Sequence, residues 1–257
     1  MTQYIPYKNA FEKAKKLKRC ANIILWISTS LIVLAFSIKN INNNFLLISN
    51  YITCINSFLI ISYAVLSFIS SIYNFKAGIR RREDFIDNSF NTKIAEERSI
   101  GYYTNDNLDN GIYKMAVNGF ENSLFTYRIS KQMTFKIWIK NLIFAFLILF
   151  FAIFGFNNAF ILFIQLTLPV LILHDAIKHT IFVERISQVF ENYRRLFNDL
   201  KNQHNIDLKN PEIILNILEY ESTLTNRDIL LNSKTYIKLN PELSKKWIEL
   251  KKEYNII

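Results

Sequence analysis

Side chains that could bind an ion or a charged ligand form three groups in this chain of 257 residues. The first is His174, Asp175 and His179. Asp175 and His179 are one helical turn apart, close enough to share a cation. The two histidines are five residues apart, however, and the trio matches no strong zinc spacing. A polar collar at a membrane interface explains it without a metal, and none is assigned.

The second group is cationic. Arg80, Arg81 and Arg82 are consecutive, and guanidinium forks suit phosphate oxygens. Arg128, Lys131, Arg185, Arg194 and Arg195 are cations that could join them. Tyr102 and Tyr103 offer rings on which a nucleobase could stack. Together these are the candidate ligand-binding residues. The plainer reading of the arginine run is contact with anionic lipid headgroups.

The third group is uncharged. Asn50, Thr53, Ser57, Ala64, Ser67 and Ser71 recur at three-, four- or seven-residue steps, with Asn56, Tyr63 and Ser70 on an adjoining line. Ile48, Ile52, Ile55, Leu59 and Leu66 occupy much of the other side. Polar side chains in lipid serve either packing between helices or contact with water, and both readings stand. For the second, the candidate pore-lining residues are Asn50, Thr53, Asn56, Ser57, Gln165 and Thr167. One such stripe cannot enclose a water path, so a pore predicts a homo-oligomer.

No Walker loop, dinucleotide glycine motif, nucleophile elbow or zinc-protease motif is present, and five glycines leave little material for a phosphate-cradling loop. The chain is therefore read as non-enzymatic and without a cofactor. Residues 75–140 hold eleven basic and eight acidic side chains, a balance unlike that of a DNA- or RNA-polymer binder. Cys20 and Cys54 lie at or inside apolar segments and suggest no disulfide scaffold.

Helices must position these groups. Gly and Pro are scarce, and long apolar runs replace amphipathic periodicity. Four runs are nearly free of charge: Ala21 to Ile38, Phe45 to Tyr73, Leu142 to Phe156 with Ile137 to Ile139 ahead of it, and Ala159 to Leu173. A helix needs roughly 20 apolar residues to cross a bilayer, or about 17 at the least. The last two runs are marginal alone and work as a pair, separated by Asn157 and Asn158. The first follows a basic stretch, and no small-residue cleavage site comes after it, which reads as a retained anchor. Lysine and arginine set the orientation: six in residues 1–20, one in 39–44, eleven in 75–140, none in the 157–158 turn and thirteen in 176–257. Both turns are expected outside, and both termini inside.

The expected fold is an all-α membrane protein with four transmembrane helices in two hairpins and a cytoplasmic helical domain. It divides into an N-terminal basic segment (1–20), a first hairpin (21–73), a cytoplasmic insert (74–136), a second hairpin (137–173) and a helical tail (174–257). The second span is expected to continue as a helix to Phe90. A turn-rich stretch, Gly101 to Gly111, precedes a helix from Ile112 into the third span. The fourth span is expected to continue through a stripe of Ile177, Ile181, Ile186, Val189, Tyr193, Leu196 and Leu200. Asn210-Pro211-Glu212 and Asn240-Pro241-Glu242 each place a capping Asn before a first-turn Pro and predict two more helix starts.

Three local patterns carry a resemblance. They are Lys76-Ala-Gly-Ile-Arg-Arg-Arg-Glu-Asp-Phe-Ile-Asp87, Gly119-Phe-Glu-Asn-Ser-Leu-Phe-Thr-Tyr127, and the tail from Leu218-Glu-Tyr-Glu221 to Trp247. With two hairpins split by an insert, the chain resembles the SMODS-associated four-transmembrane effectors of bacterial cyclic-oligonucleotide anti-phage signalling. That resemblance implies a cyclic nucleotide or oligonucleotide ligand on the cytoplasmic side, rearrangement of the spans in the inner membrane, leakage and growth arrest. Its rivals are a non-conducting anchor or sensor scaffold that recruits a soluble partner through the cytoplasmic helices, and a small transporter. Absence of charge within the spans argues against ion-coupled transport.

Overall fold

A computed structural model describes residues 4–41, 46–153, 159–202, 206–225 and 230–256. Among them the regular elements are helices: α1 (Lys8–Ile41), α2 (Leu46–Phe90), α3 (Ile112–Ile153), α4 (Ala159–Asn202), α5 (Asn210–Thr225) and α6 (Ser233–Glu253). Strand-like pairing among the described residues is limited to a bridge between Tyr4 and Ile100. The chain divides into two compact units, Met1–Asp87 with Lys93–Tyr102, and Asn88–Thr92 with Tyr103–Ile257.

The first unit is built on a repeat of seven. Tyr7, just ahead of α1, and Ala14, Ala21, Ser28 and Ala35 on it are buried and spaced by seven. On α2, Ser49, Asn56, Ser70, Ala77 and Asp84 are buried on the same spacing, and half-buried Tyr63 fills the remaining step. A seven-residue repeat keeps one narrow seam facing its partner, and small side chains let two backbones approach closely. Two hydrogen bonds fix the register. Ser70 Oγ donates to the Ala14 carbonyl (2.8 Å) and Ser49 Oγ to the Ala35 carbonyl (3.1 Å). Both residue pairs sum to 84, so the helices are antiparallel. The large apolar side chains point away from this seam. Tyr51, Phe58, Ile61 and Phe68 are more than half exposed.

After Asn91, which adopts a positive φ of 56°, the chain turns back along the end of α2. Asp87 accepts from the Ile94 and Ala95 amides, and Asp84 from the Ser99 amide and hydroxyl. The acids that follow the arginine run therefore act as buried anchors for the loop.

The second unit packs α5 and α6 onto an antiparallel pair, α3 and α4. Phe120 is its centre. The rings of Phe190, Tyr193, Phe197, Trp247 and Tyr254 all lie within 6.0 Å of it, centroid to centroid. Val117, Leu124, Ile186 and Leu196 complete the buried layer.

Both expected Asn-Pro caps are corrected. α6 starts at Ser233, with Asn232 accepting from the Lys234 (2.8 Å) and Thr235 (3.3 Å) amides, and Pro241 lies inside the helix. The Asn232 cap and the packing of Leu231 and Leu239 against Ile129, Met133 and Leu243 outweigh the backbone hydrogen bond lost at the proline. α5 does begin at Asn210, but Asn210 is itself helical (φ −53°, ψ −44°) and donates to Asp207 at 3.4 Å. A 3-10 turn, Asp207–Lys209, leads the chain in.

One helix among the described residues, Leu47–Phe90, is long and apolar enough to cross a membrane. The turn at 157–158 and residues 42–44 of the one at 39–44 lie outside the described residues. α1 and α4 run unbroken through Ala21 to Ile38 and Ala159 to Leu173, and α3 through the third stretch as far as Ile153, each continuous with the charged segment beside it.

Candidate functional site

The polar side of α2 resolves into two lines with different surroundings. Asn50, Thr53 and Ser57 are exposed. Thr53 Oγ1 donates to the Ser49 carbonyl (2.9 Å) and Ser57 Oγ to the Thr53 carbonyl (3.1 Å), so both hydroxyl protons are held by their own helix. Asn56 instead lies in the seam at 6% exposure, and its Oδ1 has no partner. The register sets it level with Ser28. Packing thus accounts for Asn56, whereas the Asn50–Thr53–Ser57 line remains open on the outer surface. Gln165 and Thr167 sit on α4, with side chains outside the described residues.

Toward the C-terminal half of α2 the level changes character. Lys18 Nζ donates to Ser67 Oγ (3.3 Å), and Lys13 Nζ lies 5.8 Å from the centre of the Tyr73 ring. Residues 67–73 therefore stand beside the lysines of α1.

The cationic candidates divide between the units. Arg80, Arg81, Arg82 and Tyr102 belong to the first, where Arg80 is exposed and Tyr102 meets Tyr7 edge-on at 6.3 Å. Tyr103, Arg128, Arg185, Arg194 and Arg195 belong to the second. Tyr103 is buried at 8% exposure, so its ring is closed to a stacking base, against the expectation from sequence. Arg194 is engaged by Glu191 (3.1 Å) and by the Tyr254 hydroxyl (3.3 Å), and the Tyr254 bond raises its pKa. Arg128 and Lys131 share the Tyr127 ring, at 5.8 and 5.3 Å. Arg128 also borders a depression of about 290 Å³ with Glu242, Lys245, Lys246 and Glu249. Its mixed charge is a weak match to a phosphate. Arg185 and Arg195 are exposed on α4.

His174 and Asp175 are exposed, whereas His179 is buried. Its Nε2 lies 3.0 Å from the Ser130 carbonyl, to which it donates as a neutral ring, and Nδ1 has no partner. Burial pushes its pKa down. Among the described residues no three His, Cys, Asp or Glu side chains are grouped to hold a metal.

The stretch Gly119 to Tyr127 is the packing hub of the second unit. A Cβ on Gly119 would lie 2.3 Å from the Tyr193 hydroxyl, so only glycine admits that ring. Tyr127 stacks on Phe190 at 5.9 Å. Glu121 accepts from Thr104 (3.0 Å) and Asn105 (2.8 Å). Burial pushes its carboxyl pKa up, opposed by those two bonds and by Lys251. Asn105 also donates to Asn118 (3.0 Å), and Asn118 to Asn88 (2.8 Å). Sequence reasoning missed this amide chain. Asn88 and Asn118, inside helices where the residue is a poor helix former, were the available signal.

No protein-family model, curated protein or solved structure matches the chain.

Proposed function

We propose that the chain is a non-enzymatic effector of the bacterial inner membrane, permeabilising it on a cytoplasmic, nucleotide-type signal. The observation that carries the membrane part is the surface of α2. Its most apolar 18-residue window has a mean hydropathy of 2.0, and only 6% of that window is buried. A core helix of a water-soluble protein hides such a face, because exposed apolar area costs roughly 25 cal/mol per Å² in water. The resemblance set out above supplies the effector reading and the remaining three spans.

The seam register supports a definite depth. α1 from Ala21 to Ile41 rises about 30 Å at 1.5 Å per residue, the thickness of a bilayer core. Lysines at positions 13 and 18 would then sit at the cytoplasmic headgroups, and Ser67 to Tyr73 with them. The second span accordingly ends near Val65. In assembled protomers the Asn50–Thr53–Ser57 line would face water. The ligand reading centres on Arg80 and its neighbours, because Tyr103 and Arg194 are committed elsewhere. Any such ligand must bind the conducting arrangement better than the resting one, or it shifts nothing.

Replacing Asn50 by Leu, Thr53 by Val and Ser57 by Leu together tests the pore. In cells reporting membrane potential, the triple variant should insert normally and fail to depolarise. Depolarisation at the wild-type level would remove the pore. The non-conducting anchor is favoured by one observation, the return of the Thr53 and Ser57 hydroxyls to their own helix. It predicts that wild-type protein leaves the potential intact.

A further inference from the structure

α5 has two apolar faces and uses one. Ile213, Ile217 and Tyr220 are buried. Ile214, Leu215 and Leu218 form a second stripe, 48%, 55% and 61% exposed. At about 100° per residue, Glu219 borders this stripe on one side and Glu221 on the other. The helix carries Glu212, Glu219 and Glu221 and no lysine or arginine.

The outer surface of α6 is its complement. The helix holds six lysines against three glutamates. Near its C-terminus Ile248, Lys251, Lys252, Asn255 and Ile256 line a shallow depression of about 410 Å³. Ile248 is 52% exposed there, Lys252 is exposed and Lys251 is half-buried. Apolar and basic side chains side by side fit an apolar ridge between acids. A water-exposed leucine stripe of this kind marks an interaction site.

We propose that the α5 ridge of one copy docks into the α6 depression of a second copy. Ridge and depression are different surfaces of the same chain, so the contact is heterologous and each copy keeps one unused partner surface. Repetition closes into a ring or extends as a row. Of the acids flanking the ridge, Glu219 accepts from Asn192 (3.1 Å) and Glu221 is half-buried, so what they bring to the contact is a negative field opposite the Lys251 and Lys252 ammonium groups. This assembly stands independently of conductance. Loss of the contact with intact leakage, or the contact without leakage, are separable results.

The test uses the full chain in mild detergent with the exposed Cys20 and Cys54 replaced by Ser. Copies carrying Leu215→Cys and copies carrying Ile248→Cys, differently tagged, are mixed and treated with a short bis-maleimide. A mixed-tag covalent dimer is expected, and neither variant should dimerise alone. Leu218→Glu should lower the yield at least fivefold with the circular dichroism unchanged, and high salt should also lower it. No mixed dimer, Leu215→Cys pairing with itself, or a yield indifferent to Leu218→Glu would overturn the proposal. So would vesicles of phosphatidylglycerol that shield Ile248→Cys from a soluble maleimide and abolish the cross-link, since the lysine face would then belong to anionic lipid.

Discussion

The two units solve helix packing in opposite ways. In the first, the buried seam is Ala14, Ala21, Ser28, Ala35, Ser49, Ser70 and Ala77, while Tyr51, Phe58 and Phe68 face outward. In the second, the buried centre is Phe120, ringed by Phe190, Tyr193, Phe197, Trp247 and Tyr254. Water drives the second arrangement, because each aromatic removes some 150–250 Å² from it. In the membrane placement proposed above it offers nothing to the first, whose helices gain from backbone proximity and from hydroxyl-to-carbonyl bonds such as Ser70 to Ala14. The contrast teaches that side-chain size at the contact, more than total hydrophobicity, reports which solvent a helix pair is built for.

The chain supplies a probe for each unit, Trp26 for the first and Trp247 for the second, once Trp138 is replaced by Phe. The largest effect is expected at Gly119. Gly119→Ala forces its Cβ into the Tyr193 hydroxyl and should cost about 3 kcal/mol, read as an earlier Trp247 transition in denaturant. Tyr193→Phe in the same chain should restore part of the loss. Alone it should be nearly neutral, because the hydroxyl it removes is buried without a partner. If Gly119→Ala is harmless, the close approach of α3 and α4 is wrong. The Trp26 transition should not move with either change, since Gly119 and Tyr193 pack within the second unit.

Next in size is the seam. Ala21 is fully buried, whereas Ile23 is 52% exposed. Ala21→Leu should separate α1 from α2 at a cost of about 2 kcal/mol in the Trp26 transition in detergent. Ile23→Ala should change that transition by less than about 0.5 kcal/mol, because an outward side chain merely exchanges detergent for detergent. Equal effects from the two would mean the small-residue seam is not what holds the hairpin.

Much of this layout can be read from residues alone, and the failures have identifiable causes. Continuation of α2 to Phe90, the irregular stretch through Gly111 and the helix from Ile112 followed from periodicity and from the grouping of glycine and asparagine. The polar face of α2 was visible, but which of its two lines packs was not. That depends on the rotation of α1, and the answer was written in the seven-residue spacing of Ala14, Ala21 and Ala35 on the partner helix. Pro241 misled because a local signal was weighed without the tertiary contacts of Leu231 and Leu239 that carry α6 through it. Asp84 and Asp87 carry no local signal of burial. Their real role is set by the path of residues 91–100, which local sequence does not determine.

The smallest effect concerns pH, and it separates the units once more. The first unit's residues include no histidine, while His174 and His179 belong to the second. His179 is the buried one of the described pair, with its Nδ1 facing no acceptor and its pKa held below the ordinary value of 6.5 by desolvation. A base whose folded pKa is depressed contributes stability that is whole above its unfolded pKa. That stability is lost as pH falls from about 6.5 through the folded value, because the unfolded chain takes up the proton first. The Trp247 midpoint should therefore be level from pH 8 to pH 7 and decline toward pH 5.5, by at most about 1.4 kcal/mol per pH unit for one group. His179→Gln keeps an amide able to reach the Ser130 carbonyl and removes the titration, so it should flatten the decline. The Trp26 midpoint has no histidine to follow and should stay level throughout. A decline that survives His179→Gln would assign the pH response to another group, and the same decline at Trp26 would mean that the two units do not unfold as separate bodies.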